Sequence, residues 1–223
     1  RPEAVAALRR LEVPLPAASS DAAETLALLD EVVSPATMAM AGPRFFGFVI
    51  GGSLPVALAA NWLAGAWDQN AGYYSSTPGV AHLEQVALRW LVDVLGLPPG
   101  TQGAFVTGAT MANFTALAAA RHRVLADVGW SVEDRGLFGA PEVTVVVGDE
   151  AHVTILAALQ MLGLGRERVV RVGTDDQGRM RADLLQLAIA DVRGPLIVCA
   201  QAGNVNTGAF DPLPAIAAAV HAQ

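Results

Sequence analysis

The sequence predicts an α/β fold: a mostly parallel sheet with helices on both faces, preceded by an N-terminal helical arm. Three observations carry that prediction. From Gly103 onward short apolar runs of strand type alternate with helical stretches, the order that builds parallel sheets. The stretch Thr107-Gly108-Ala109-Thr110-Met111-Ala112-Asn113 lies between the apolar run Gly103 to Val106 and the alanine-rich run Phe114 to Ala120, and reads as strand, tight turn and first helical turn. Two later apolar runs, Val143 to Gly148 and Pro195 to Ala200, also end in loops of small and polar residues. Ligands of an open parallel sheet bind outside the carboxyl ends of its strands, so these three loops are expected to converge.

In chain order, Arg1 to Leu11 reads as a helix, followed by the extended connector Val13-Pro14-Leu15-Pro16. Ser20 or Asp21 is placed to cap an amphipathic helix over Ala22 to Val33. Gly42 to Gly52 is the densest aromatic cluster, read either as a loop packed on the core or as a wall facing a ligand. Pro55 to Trp67 reads as an apolar helix, and Asp68 to Pro78 as a polar loop carrying Asn70, Tyr73 and Tyr74. A helix over Gly79 to Leu95 should bury Leu83, Val86, Ala87, Trp90, Leu91 and Val94, with Gly96 to Gly100 closing it. After the Gly108 turn a long helix over Met111 to Val128 leads through a polar connection, Gly129 to Pro141, into the strand Val143 to Gly148. Further elements follow at Val153 to Leu162, Val169 to Val172, Arg181 to Asp191 and Leu196 to Ala200, and a last helix opens at Asp211 and Pro212. Residues 1–100 thus read as an N-terminal helical unit and residues 101–223 as an α/β unit.

Composition excludes several functions. A hydrophobic content of 53% supports a sizeable core in 223 residues, and the mean hydropathy of +0.42 reads as buried or interface surface rather than membrane. Asn61, Asp68, Arg89, Asp93, Arg121 and Arg123 interrupt every candidate for the roughly 20 apolar residues a membrane span needs, so no membrane association is expected. A net charge of −7 argues against nucleic acid. His82 has no second histidine or cysteine at ligand spacing, so no metal site is expected. Cys199, the single cysteine, sits in an apolar run and reads as a buried structural thiol in a cytoplasmic protein. The chain opens at Arg1 with no signal peptide and reads as trimmed there. All 14 basic residues are arginine, and there is no lysine.

The Gly108 turn reads either as a plain strand-to-helix joint, common in any α/β protein, or as an anion cradle. Small residues at 108 and 109 let a phosphate approach the free N–H groups and positive end of a helix, with the hydroxyls of Thr107 and Thr110 beside them. Nucleotide fingerprints are absent, since neither Gly-x-Gly-x-x-Gly nor Gly-Lys-Thr occurs. His152, at the exit Asp149-Glu150-Ala151-His152, has three readings: a satisfied loop histidine, a general acid/base, or an aromatic plate stacked on a planar ring. Asp175 and Asp176 read as a surface turn rather than an acid/base pair.

Taken together, the Gly-containing phosphate turn, the Asp-x-Ala-His strand exit and the Gly203-Asn204-Val205-Asn206-Thr207-Gly208-Ala209-Phe210-Asp211 loop resemble the pyridoxal-phosphate-dependent amino acid decarboxylases of the aromatic amino acid and glutamate decarboxylase group, over residues 43–214. The resemblance implies the fold of the fold-type I pyridoxal-phosphate transferases and decarboxylation of an L-amino acid substrate. It assigns pyridoxal 5'-phosphate to Gly108, Ala109, Thr110, Asn204 and Asn206, with His152 as ring plate and catalytic residue. Phe48, Val49 and Ile50 fall where the family lines its substrate pocket, with Asn70, Tyr73 and Tyr74 as further substrate contacts. The chain departs from the family where Ala109 stands for a frequent serine and Asn204-Val205-Asn206 for a threonine-rich loop. The family's Schiff-base lysine and the aspartate that pairs with the pyridine nitrogen would both fall beyond Gln223. The resemblance makes residues 1–100 the helical arm and a substrate- and dimer-facing segment, and 101–223 the first part of the large α/β domain. Because the family's N-terminal helices wrap a partner subunit, the partners it implies are a second copy in a homodimer, the chain's own C-terminal portion, or both. Two other readings stand beside this one: an inactive interaction module of the same ancestry, and another enzyme of the same fold, such as an aminotransferase.

Overall fold

The computed structural model describes residues 2–223; Arg1, where the predicted first helix opens, lies outside the described residues. The chain divides into two units, Arg1–Thr77 and Pro78–Gln223.

The first unit is built from α1 (Pro2–Ala7), α2 (Ala22–Val32) and α3 (Pro55–Trp67). Asp21 caps α2: its Oδ1 accepts hydrogen bonds from the backbone N–H of Ala23 (2.8 Å) and Glu24 (3.2 Å). α3 opens with Pro55, whose missing N–H costs nothing in a first turn, and ends at Asp68 in the left-handed region (φ 46°). Phe48 and Val49 are both left-handed, each with φ 58°. A β-branched residue held there stores strain of order 1–3 kcal/mol.

The second unit runs α4 (Pro78–Val94), α5 (Ala109–Ala126), α6 (Val132–Arg135), β1 (Thr144–Gly148), α7 (Val153–Met161), β2 (Val170–Val172), α8 (Ala182–Ile189), β3 (Leu196–Cys199) and α9 (Leu213–His221). Among the described residues the sheet has three strands in the order β2-β1-β3, all parallel. Val146 of β1 pairs with Val170 on one side and Val198 on the other. Being central, β1 is apolar on both faces, and its alternation divides the core in two. Val145 and Val147 pack with Leu117 of α5 and with Ala158, Leu159 and Leu162 at α7. Val146 packs with Val172, Met180, Leu185, Ile189 and Ile216 toward α8 and α9. The predicted parallel sheet with helices on both faces is thus present.

Three local expectations are corrected. Gly103 to Val106 forms no strand, because no neighbouring strand offers it a ladder; instead the Phe105 N–H points at Glu84 Oε1 at 3.5 Å. α5 starts at Ala109 rather than Met111, since small residues after a glycine N-cap can already be helical. The α4 stripe is only partly covered: Val86 and Ala87 are half-buried, but Trp90 is 70% and Val94 81% exposed, with Leu83 and Leu91 exposed as well. The half-buried residues of α4 are instead Val80, Ala81, Glu84, Ala87, Leu88 and Val92 with Val86, so the side that is covered is not the stripe expected.

Candidate functional site

Where β1 and β3 end, a cavity of about 230 Å³ opens. The chain passes from β1 over α7 to β2, then returns across β1 to β3, so loops leave the two adjacent strands in divergent directions. Such a switch point leaves a crevice at the carboxyl end of the sheet. Gly148, Ala151 and His152 line it from β1, Ala200 to Ala202 from β3, Thr174 from beyond β2, and Asn113 from α5.

The loops around the cavity are fastened by side chains whose partners lie far off in sequence. Asp211 is buried; its Oδ1 accepts the Met180 N–H and its Oδ2 the Gln201 N–H, both at 2.7 Å. One carboxylate therefore joins the segment after β2 to the segment after β3. Asn204 is also buried, and its Oδ1 accepts from the N–H groups of Asn206 (2.9 Å) and Thr207 (3.3 Å). Thr207 in turn donates its hydroxyl to the Gln177 carbonyl (2.8 Å). Gly178, with φ +77°, lies so close that a Cβ there would sit 2.6 Å from Asn204 Nδ2. Asn204 is thus occupied in shaping its own loop, which Thr207 fastens to the 175–180 turn, while Asn206 is exposed. Asp175 anchors that turn, as its sequence suggested. The Arg179 N–H, with its guanidinium adding to the effect, holds the Asp175 carboxyl below the usual carboxylate range.

α5, which lines the cavity with Asn113, begins about one turn earlier without a side-chain cap, with Gly108 as N-cap. The N–H groups of Ala109, Thr110 and Met111 have no acceptor among the described residues. This contrasts with α2, whose first N–H groups Asp21 satisfies, and leaves an 18-residue helix with an open positive end. One turn on, Asn113 Nδ2 donates to Thr154 Oγ1 at 2.9 Å, fastening the first turn of α5 to that of α7. His152 is the N-cap of α7: its Nδ1 accepts the Thr154 N–H at 3.3 Å and lies 2.9 Å from Thr154 Oγ1.

Cys199 also lines the cavity, and burial pushes its thiol up to about 11. It stays protonated at neutral pH and is no nucleophile, as its apolar neighbours in sequence suggested. Among the described residues no group of three His, Cys, Asp or Glu side chains is arranged to hold a metal ion, and no helix is long and apolar enough to cross a membrane.

The structure brings His152 and the start of α5 to one region of the second unit. Phe48, Val49, Ile50, Asn70, Tyr73 and Tyr74 are exposed residues of the first unit; Phe48 is 90% exposed, and Asn70 Oδ1 accepts the Gly72 N–H at 3.2 Å. Asn113, Thr154 and Asp211 were not singled out from the sequence. A polar residue one turn into a helix that follows a glycine turn was a usable signal for Asn113. Asp211 stood in the sequence as the end of the loop motif and the opening of the last helix, with nothing local to mark it as a clamp between two loops.

Comparison with known proteins gives a consistent result. The family model described as "Pyridoxal-dependent decarboxylase conserved domain" matches residues 6–223. The chain is 30% identical over 179 residues to the acidic amino acid decarboxylase GADL1 of Homo sapiens, covering 78% of this chain and 33% of that protein. It is also 30% identical over 212 residues to the aromatic-L-amino-acid decarboxylase of Bacillus atrophaeus, covering 93% of this chain and 42% of that one. The crystal structure of mouse CSAD superposes with a TM-score of 0.87 at 27% identity, covering all of this chain and 46% of the mouse chain. The chain therefore spans between a third and a half of the length of these relatives.

Proposed function

The chain belongs to the pyridoxal-dependent decarboxylase family, and from that premise we propose that it contributes to the decarboxylation of an L-amino acid by holding pyridoxal 5'-phosphate at the carboxyl ends of β1 and β3. Its fold is that of the fold-type I pyridoxal-phosphate enzymes. The observation that carries the proposal is the uncapped N-terminus of α5 beside the cavity that His152 lines.

The residues present fit the cofactor. Free N–H groups at Ala109 and Thr110, reached past Gly108, suit a phosphate, and the Thr110 hydroxyl adds a donor. Small residues at 148, 200 and 202 leave room for a flat ring beside the His152 imidazole. Bound there, pyridoxal phosphate supplies an electron sink for the pair left when a carboxyl group departs. The protein's part is to anchor the phosphate, hold the ring plane with His152, and keep the loops in register through Asp211 and Asn204. Asn206, exposed in the same loop, is available to the cofactor's periphery. We assign the side-chain wall for the substrate to Phe48, Val49 and Ile50, with Asn70, Tyr73 and Tyr74 beside it.

Covalent attachment of this cofactor needs a lysine amine, and these 223 residues have none. By themselves they should bind the cofactor reversibly and turn nothing over. Activity should require a lysine from outside them, with a second copy of the chain as a further partner. The exposed apolar side of α4 supports such association.

The test is a titration of the chain with pyridoxal phosphate, followed by its absorbance and repeated against inorganic phosphate. Saturable binding that phosphate competes away, and that G108D weakens at least about tenfold, is expected from placing a carboxylate at the helix end. Binding that neither inorganic phosphate nor G108D affects would overturn the cradle. With a lysine-bearing form of the protein, carbon dioxide release from L-amino acids is expected, whereas a keto acid product would point to transamination.

A further inference from the structure

The hydrogen bonds around His152 fix more than its position. The Thr154 backbone N–H can only donate, and it is directed at His152 Nδ1 (3.3 Å), so this ring nitrogen presents a lone pair and carries no proton. Thr154 Oγ1 lies 2.9 Å from the same nitrogen. That hydroxyl has one proton to give. The carboxamide N–H of Asn113 donates to Oγ1 (2.9 Å), occupying an oxygen lone pair and leaving the hydroxyl proton to point at Nδ1. The three donors form a chain: Asn113 to Thr154, Thr154 to His152. In a neutral imidazole the proton must then sit on Nε2, which has no hydrogen-bond partner among the described residues and belongs to a side chain that lines the cavity.

We infer that Asn113 and Thr154 are positioning residues that lock His152 in the Nε2–H tautomer, so that its free edge offers the cavity a hydrogen-bond donor rather than a base. A ligand oxygen would be received there, whereas a ligand proton would find no acceptor. The other titratable groups lining the cavity are Glu150, Cys199 and Asp211; none of them is hydrogen-bonded to His152, and Asp211 is already occupied by two backbone N–H groups. The inference rests on the functional reading above only for what the donor serves. The tautomer itself is a property of the chain without cofactor.

Ring-nitrogen NMR of the ¹⁵N-histidine-labelled full chain tests it at a pH where the ring is neutral, with the His152 signals assigned by their loss in H152Q. The expected wild-type pattern is an unprotonated Nδ1 and a protonated Nε2. N113D should shift the population toward Nδ1–H, because a carboxylate accepts the Thr154 hydroxyl proton and turns an oxygen lone pair to the ring. T154V should give mixed tautomers, and T154S, which keeps the hydroxyl, should restore the wild-type pattern. A wild-type ring protonated on Nδ1 would overturn the inference, as would wild-type populations in both N113D and T154V. A shift in T154V alone would remove Asn113 from the assignment and keep Thr154. Because no cofactor is present, failure of the titration above leaves this result standing, and the reverse also holds.

Discussion

Two short hydrogen bonds to Asp211 hold the segments after β2 and β3 together, and both partners are backbone N–H groups. In D211N one of those donors would face a carboxamide NH₂, leaving a buried N–H unsatisfied at a cost of about 1–3 kcal/mol. The expected outcome is a lower urea midpoint with an unchanged slope. Cys199 gives a second prediction at this scale. Its folded thiol is raised from 9.0 to about 11 by burial, so the stability it contributes is fully present below pH 9 and fades as pH rises from 9 to 11. Alkylation of Cys199 at pH 8 should accordingly be slow in the folded chain and fast in urea; equal rates would contradict the burial. Cys199 was legible from the apolar letters on either side of it. Asp211 was not, because an aspartate ahead of a proline and a helix looks the same whether it caps that helix or reaches back to Gln201 and Met180.

Helices and strands differed in how far their sequences specified them. β1 and β3 were readable as short apolar runs, Val143 to Gly148 broken only by Thr144 and Leu196 to Ala200 unbroken, and the central β1 is the one buried on both faces. Gly103 to Val106 has similar letters, but a strand exists only with a ladder partner, which no local pattern reports. α5 was recognised with its open N-terminus, and its lack of a cap leaves N–H groups that an anion would satisfy under the proposed reading. G108D should stabilise the chain by a few tenths of a kcal/mol by capping the helix, seen as a small rise in melting temperature, in the same variant that weakens pyridoxal phosphate binding. A fall in both would mean that residue 108 does not sit at the helix end as described. The Gly178 turn gives the opposite case: G178A places a Cβ against Asn204 at a positive φ and should cost about 1–3 kcal/mol, read from the denaturation midpoint.

For the chain as a whole, the high hydropathy was read as buried or interface surface, and Trp62, Trp90 and Val94 are exposed rather than buried. The 223 residues alone should bind a hydrophobic dye and run above 23.1 kDa by light scattering; a dye-silent monomer would contradict this. What the sequence could not convey was the set of long-range fastenings at the cavity, such as Asn113 to Thr154 and Thr207 to Gln177, because each joins residues that only the finished sheet brings together. The position of β1 between β2 and β3 also bears on how the chain acquires its shape. Val147 meets Cys199 across the sheet, so the central strand is synthesised well before one of its neighbours exists. Closing that gap is slow compared with forming α7 or α8. During translation, the valine-rich β1 must wait beside its helices with one edge bare, and in that interval the nascent chain is most exposed to mispairing and most dependent on chaperones.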